Sequence, residues 1–287
     1  RSPPGRDRLG PRDLVTLRSL LGSLGLLGVL ATSAHAQAPA GPGYLWSFTG
    51  VEFSACVDFL VEPTLAGKQL DPGYQVIPAA SFAPSPPALR REVEGDTIHA
   101  AWVPSQVCVI EAPQVTTGDN LLTPEGNMGG QEVVGFWAIA ARRTDGSPRS
   151  DQWFVARLWT NDWRLRKQTE AEFIPVELFK RSRLPIPESS RHRYEVKIGK
   201  TVLSWDGELA GRDSTAADPG QSSLIFQGTR SIKWTATVAS QPAWTRALAG
   251  VFRVEGKDDL AVALRASPIR QFGPMYWGGA ARVEFTR

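Results

Sequence analysis

The chain has 287 residues, 32 of them lysine or arginine and 29 aspartate or glutamate, with 42% hydrophobic residues and two cysteines. Five basic residues (Arg1, Arg6, Arg8, Arg12, Arg18) and two acidic ones (Asp7, Asp13) precede residue 37, so 27 of each remain beyond it. The pI near 9.0 therefore leaves no surplus of positive charge to release counterions from phosphates, and nucleic acid is excluded as an expected partner.

The leading segment places Arg6, Arg8, Arg12 and Arg18 before an apolar run from Leu20 to Ala31, then Ala34-His35-Ala36 ahead of Gln37. That is the anatomy of a secretory signal peptide, so residues 1–36 are expected to be removed and 37–287 to form one domain. The run is short and rich in glycine, so no stable membrane span is expected after cleavage; an uncleaved amphipathic anchor is the alternative. Export places the protein in a periplasmic or extracellular, oxidising compartment. There Cys56 and Cys108 are expected to pair, two buried free thiols being the alternative. Neither has a histidine or second cysteine at ligand spacing, and no metal site is expected.

In chain order, Tyr44–Val61 alternates as one or two strands, with Phe53, Ala55, Val57 and Phe59 on one face and Cys56 on the other. Prolines at 63, 72, 78, 84, 86 and 87 exclude a long helix between 62 and 87. Short strands follow at 97–101 and 106–111, then a polar, glycine-rich loop from Gln114 to Gln131, long enough to suggest a functional role. Strands over 132–143 and 152–160 are joined by Thr144-Asp145-Gly146-Ser147-Pro148 as antiparallel neighbours. On the second, Trp153, Val155, Arg157 and Trp159 are expected to share a face. Asn161-Asp162 caps a short helix running to about Glu172.

Strands near 194–198 and 201–205 form a meander, and after a polar loop over 209–221 strands near 223–227 and 231–238 make another pair. Ser240-Gln241-Pro242 reads as the start of a second helix to about Ala249, ended by Gly250. Strands near 251–255, 260–266 and 280–285 close the chain. The pattern is mainly β: a closed or cone-like antiparallel β-barrel with two short helices, or a β-sandwich.

The segment from Gln131 to Lys180 carries a more specific pattern. Its second half can be laid, without gaps, on a motif in which a strand ends in D-N-x-x-A, G-R-E follows and G-F-P-K-K comes next. Asn161 takes the Asn, Glu170 the Glu and Pro175 the Pro; Gln168-Thr169 replace Gly-Arg, and Phe173 replaces the Gly before F-P. Glu132 stands where a glutamate usually occurs shortly before the strand-ending turn. In this the chain resembles the acetoacetate decarboxylase-like superfamily, whose first motif lysine forms a Schiff base. Here the lysine pair is Val176-Glu177.

An amine unprotonated near neutral pH is indispensable to Schiff-base chemistry, and neither an aliphatic side chain nor a carboxylate supplies one. The resemblance thus implies the scaffold without the family's decarboxylation step. Residues expected to bind a small organic or keto acid, or an apolar metabolite, are Glu132, Arg157, Glu170, Trp153, Trp159 and Val176, with Arg157 as the anion anchor; Trp137 could help wall the site. The alternative for the aromatics is plain core, and for Arg157 a surface pair with Asp162.

Two other readings stay open. A divergent lyase or hydrolase would use a relocated lysine, Lys180 or Lys233, or Glu132 as acid or base. A structural envelope protein would need none of these. His99 reads as an edge histidine and His192 as a solvated one. No hydrolase, zinc-protease, P-loop or dinucleotide motif occurs, and no cofactor is expected.

Overall fold

A computed structural model describes residues 44–51, 53–85, 87–117, 120–122, 132–145, 151–178, 180–185, 191–209, 221–228, 233–241, 245–246, 248–272, 275–276 and 282–286. Residues 1–36, and with them the expected signal peptide, lie outside this set, as does 123–131 of the glycine-rich loop. For Lys180, Lys233 and His192 the backbone alone is described.

The first strands are β1 (Tyr44–Thr49) and β2 (Phe53–Val61), followed by helix α1 (Pro63–Gly67), β3 (Tyr74–Val76) and helix α2 (Pro87–Val93). Next come β4 (Val103–Ala112), β5 (Gln114–Thr117), β6 (Asn120–Leu122), β7 (Glu132–Arg143) and β8 (Gln152–Thr160). Helix α3 (Trp163–Ala171) leads to β9 (Glu177–Leu178), β10 (Lys180–Pro185), β11 (Arg191–Ile198) and β12 (Thr201–Leu209). The remainder is β13 (Gln221–Gln227), β14 (Lys233–Gln241), β15 (Thr245–Arg246), β16 (Leu248–Glu255), helix α4 (Asp259–Ala266), β17 (Arg270–Phe272), β18 (Met275–Tyr276) and β19 (Arg282–Thr286).

One large sheet runs in the order β15-β18-β2-β4-β7-β8-β13-β14-β19-β1-β5-β6, with β17, β3 and β9 attached to β2, β7 and β8. A second, antiparallel sheet is β10-β11-β12-β16. The large sheet is mixed, because β13 and β9 both run parallel to β8. No pairing among the described residues closes its path, so the expected closed antiparallel barrel is not found.

The large sheet is nonetheless curved. Opposed residues of a ladder share a face, and the rows Cys56–Cys108–Phe136–Leu158 and Phe226–Trp234 lie on the same side as Phe285. Phe136 of β7 meets Phe285 of β19 at 6.3 Å, although three strands separate them in the ladder. That side is therefore concave. Trp46 fills it against Phe285 and Phe226 at 5.0 and 5.9 Å. On the convex side, Phe53 stacks on Tyr194 of β11 at 4.1 Å, and α4 packs against β2, β12 and β16.

Several elements differ from the sequence reading. Among the described residues there are four α-helices, not two: prolines that forbid a long helix start two short ones, with Pro63 at the head of α1 behind a Glu62 cap and Pro87 at the head of α2. Residues 97–101 are no strand. Asp96 accepts from the amides of Ile98 and His99 at 3.0 Å each and winds the chain into a turn of 3-10 helix over His99–Ala101.

The helix expected over 240–249 is β14, β15 and the start of β16. Gly250 is not a helix terminator there: it lies opposite Gly207, and a Cβ on it would come 2.2 Å from the Asp206 carbonyl oxygen. The strand expected over 260–266 is α4, capped by Asp258, which accepts from the Ala261 amide at 3.1 Å. Its buried residues Leu260, Ala261, Ala263 and Leu264 follow helical spacing, and Val262 is exposed.

Cys56 and Cys108 are joined by a disulfide across β2 and β4, with Cα atoms 4.1 Å apart. No helix of the described residues is long and apolar enough to cross a membrane.

Candidate functional site

Sequence places Glu132 at the first position of β7 and Asp162 immediately after β8, so the β7–β8 ladder brings their ends together. Asn161 fixes this junction: its Oδ1 accepts from the Val133 amide at 2.8 Å, and its own amide donates to the Val133 carbonyl at 3.3 Å. Thr160 Oγ1 accepts from the Asp162 amide at 3.2 Å. Asp162 is the N-cap of α3 and accepts from the amides of Arg164 and Leu165 at 2.5 and 3.1 Å. Arg164, in the first turn, then donates from Nη2 to Asp162 Oδ2 at 2.6 Å and to Glu132 Oε1 at 3.0 Å.

Two carboxylates and one guanidinium thus share a corner of the concave face. Glu132 is 2% exposed, while Arg164 and Asp162 retain 18% and 12%, so solvent reaches the pair but not the glutamate. Burial pushes the Glu132 carboxyl up to about 8; its hydrogen bond to Asp162 and that residue's charge add to the rise, and Arg164 opposes it. For Asp162, burial alone would raise the pKa, but hydrogen bonds from Arg164, Glu132 and the amides of Leu165 and Arg164 outweigh it and hold the carboxyl below its ordinary range. At neutral pH the corner therefore holds a protonated Glu132 donating to an ionised Asp162. Arg164 balances the charge.

The helix exit completes this end. Phe173 has φ 63°, and the amides of Phe173 and Ile174 donate to the carbonyls of Glu170 and Thr169 at 2.9 and 3.4 Å, a left-handed helix stop of the kind glycine favours. Phe173 is the position where the sequence resemblance has its glycine. Ile174 and Val176 then turn into the core, 2% and 6% exposed. Trp46 Nε1 donates to Thr169 Oγ1 at 3.1 Å, and Trp234 Nε1 to the Glu172 carbonyl at 2.8 Å, tying α3 to the concave wall.

The other expected site residues do not assemble with Glu132. A bulge in the β7–β8 ladder pairs Trp137 with Arg157 but the next residue, Ala138, with Val155. Ala156 is the extra residue, and the strand changes face there. Trp153 and Val155 consequently lie on the concave side while Arg157 and Trp159 lie on the convex side, which corrects the single face expected from alternation. Arg157 is 4.0 Å from Asp259 of α4, and Asp162 pairs with Arg164 instead.

Glu170 is on the solvent side of α3, bonded to Arg166 at 2.8 Å. Trp137 is buried with its Nε1 on Ser105 Oγ at 2.6 Å. Val176 is core. Lys180 opens β10 in the small sheet and Lys233 opens β14 in the large one, so they begin different sheets; their side chains lie outside the described residues. His99 is half-buried and bonded to Asp96 at 2.5 Å.

Sequence reasoning missed Arg164 and Asp162 as site members. The signal available was the spacing itself: an N-cap carboxylate with an arginine two residues on brings both to a helix start. Among the described residues no cluster of three or more His, Cys, Asp or Glu is placed to hold a metal ion.

No family model and no curated protein sequence matches the chain. Solved structures do. The enduracididine biosynthesis enzyme MppR, complexed with pyruvate, matches at 13% identity and TM-score 0.47, over 93% of this chain and 96% of that one. Acetoacetate decarboxylase from Legionella pneumophila matches at 11% identity and TM-score 0.42, over 93% and 94%. In fold, the chain is similar to the acetoacetate decarboxylase-like enzymes. An acetoacetate decarboxylase-like enzyme from Sphingomonas wittichii RW1 also matches, at 11% identity and TM-score 0.40, over 84% and 89%. At these identities and TM-scores the likeness carries no argument about the chemistry.

Proposed function

We propose that this is an exported protein that uses an acetoacetate decarboxylase-like scaffold, with the concave sheet as its cone, to bind a small keto or carboxylic acid at the Glu132–Asp162–Arg164 corner, without Schiff-base decarboxylation. The observation that carries the reading is the buried Glu132 carboxyl, 2% exposed, beside a solvent-reachable guanidinium; burial raises that carboxyl's pKa to about 8. On binding, the Glu132 O–H turns from Asp162 to the ligand's carbonyl oxygen, while the Arg164 guanidinium pairs with the ligand's carboxylate. The two ends of a keto acid ask for those two groups. Val176 supports the negative half, since the position that would supply the amine is an aliphatic side chain packed in the core.

The test is calorimetric titration with pyruvate, with the corresponding hydroxy acid and with a simple ketone, followed by borohydride treatment and mass measurement. Saturable binding of the keto acid, lost in Glu132→Leu, which removes the donor, and no borohydride-stable adduct are expected. An adduct on any lysine would overturn the negative half.

A second reading draws on the pKa of about 8 at Glu132, which suits a general acid or base near neutral pH. Under it the protein exchanges α-protons of a bound keto acid with deuterium, and Glu132→Gln abolishes the exchange. The structural envelope reading draws on the aromatic filling of the concave face, and under it no acid binds.

A further inference from the structure

The Cys56–Cys108 disulfide is not surrounded by apolar groups alone. Cys56 faces Cys108 directly across β2 and β4, and in the next row on the same face Asp58 faces Gln106, with Gln106 Nε2 donating to Asp58 Oδ1 at 2.7 Å. Neighbouring rows on one face of a sheet are roughly 7 Å apart, so Asp58 stands one row from the disulfide on the same face. Cys56 is half-buried, whereas Cys108 is 2% exposed and belongs to the core. The two sulfurs are therefore unequal: one can be approached by an external thiolate, and the other would have to leave as a thiolate in apolar surroundings. A buried leaving thiolate is unfavourable unless it takes a proton as it forms.

We propose that Cys56–Cys108 is a thiol–disulfide exchange site for an external dithiol, attacked at Cys56, with Asp58 as the acid that protonates the departing Cys108 sulfur. The dithiol's thiolate bonds to Cys56 Sγ as the Cys56–Cys108 bond breaks; the electron pair goes to Cys108 Sγ, which takes the proton of the Asp58 carboxyl. The dithiol's second sulfur, deprotonated by the Asp58 carboxylate, then attacks its own sulfur in the mixed disulfide. Cys56 leaves and takes a proton from the restored carboxyl or from water, so the protein ends with two thiols and the dithiol as a cyclic disulfide.

The surroundings let Asp58 serve. Burial raises its carboxyl to about 6, with the Gln106 hydrogen bond opposing. Around it, β4 offers Gln106 and Cys108, β7 beyond offers Ala138 in the same row, and β17 places Gln271 opposite, with Arg270 one position away on the other face. Arg90, Arg91 and Glu92 of α2, which packs on β2, are exposed. No charged side chain contributes to the shift.

The test is reduction of the folded, oxidised protein by dithiothreitol between pH 4.5 and 8.5, followed by alkylation and mass spectrometry, with rates divided by the thiolate concentration. The expected normalised rate is level below pH about 6 and falls about tenfold per pH unit above it to an unassisted floor, as one proton requires. Asp58→Asn, which keeps an amide for Gln106, is expected to give the floor at every pH. Gln106→Leu is expected to move the break to higher pH while leaving its depth. An unchanged profile in Asp58→Asn would overturn the proposal, as would reduction that occurs only when the protein unfolds, or first alkylation at Cys56 rather than Cys108 when the mixed disulfide is trapped.

Discussion

Glu132 and Asp162 are both acids, yet their opposite shifts give them different roles in stability. Glu132 binds its proton more tightly folded than unfolded, so between its ordinary value of 4.5 and about 8 the native state holds a proton that the unfolded chain has released. Stability is expected to fall as pH rises through that window and to level above it. Asp162, with its pKa lowered, is ionised in both states there and adds no slope. The size is on the order of 3–4 kcal/mol between pH 5 and 8, and Glu132→Gln is expected to remove it, as thermal melts at several pH values would show.

The two arginines separate just as clearly. Arg164→Met strands a carboxylate pair in a buried corner and is expected to destabilise by about 3 kcal/mol, whereas Arg157→Met loses a loose contact with exposed Asp259 and is expected to stay within about 1 kcal/mol. Equal losses in urea unfolding would contradict the assignment. Phe173 tests the motif correspondence: its left-handed backbone is strained by roughly 1 kcal/mol, so Phe173→Gly is expected to stabilise unless lost ring packing outweighs the relief.

At the scale of elements, the sequence was readable where one interaction dominates. The Asp162 cap, the β7–β8 hairpin and the alternation of β2 all appear as expected because cap chemistry and a period of two act over a few residues. It was unreadable where a second pattern fits the same letters. Leu260, Val262 and Leu264 alternate, but the Asp258 cap and the burial of Ala261 and Ala263 settle the segment as helix. Val262→Asp is accordingly expected to be near neutral, within about 0.5 kcal/mol, and Leu260→Ala to cost about 3 kcal/mol; a strand would make both costly. The Ala156 bulge is the other instance, since nothing in QWFVARLWT marks where the strand changes face. The face change takes Arg157 and Trp159 away from Glu132, so two of the six residues expected to bind lie on the other side of the sheet. Asn161 and Phe173 were singled out by the motif as an asparagine kept and a glycine replaced, but the bonds of the first to Val133 and the left-handed backbone of the second appear only in the structure.

Across the whole molecule, curvature rather than closure defines the interior. β4 continues past Pro113 into β5 while the ladder travels from β4 through five other strands and β1 to reach β5, which wraps the concave face around Trp46, Phe136 and Phe285. The disulfide sits on this face, 52 residues apart in sequence, and its reduction is expected to lower stability by about 4 kcal/mol on the chain-entropy account, measured as the difference between oxidised and reduced urea transitions. Residue counts and strand lengths could not disclose the curvature, because it arises from pairing between distant strands that no local pattern encodes.

The central claim is that the Glu132–Asp162–Arg164 corner receives a small keto acid. It is tested most directly by titrating the protein with pyruvate in a calorimeter at pH 6.5, for the unaltered chain, Glu132→Leu and Arg157→Met. The account expects saturable heat in the first, none in the second and full retention in the third. Binding that survives Glu132→Leu would contradict it, and binding that disappears with Arg157→Met would place the ligand on the convex side instead.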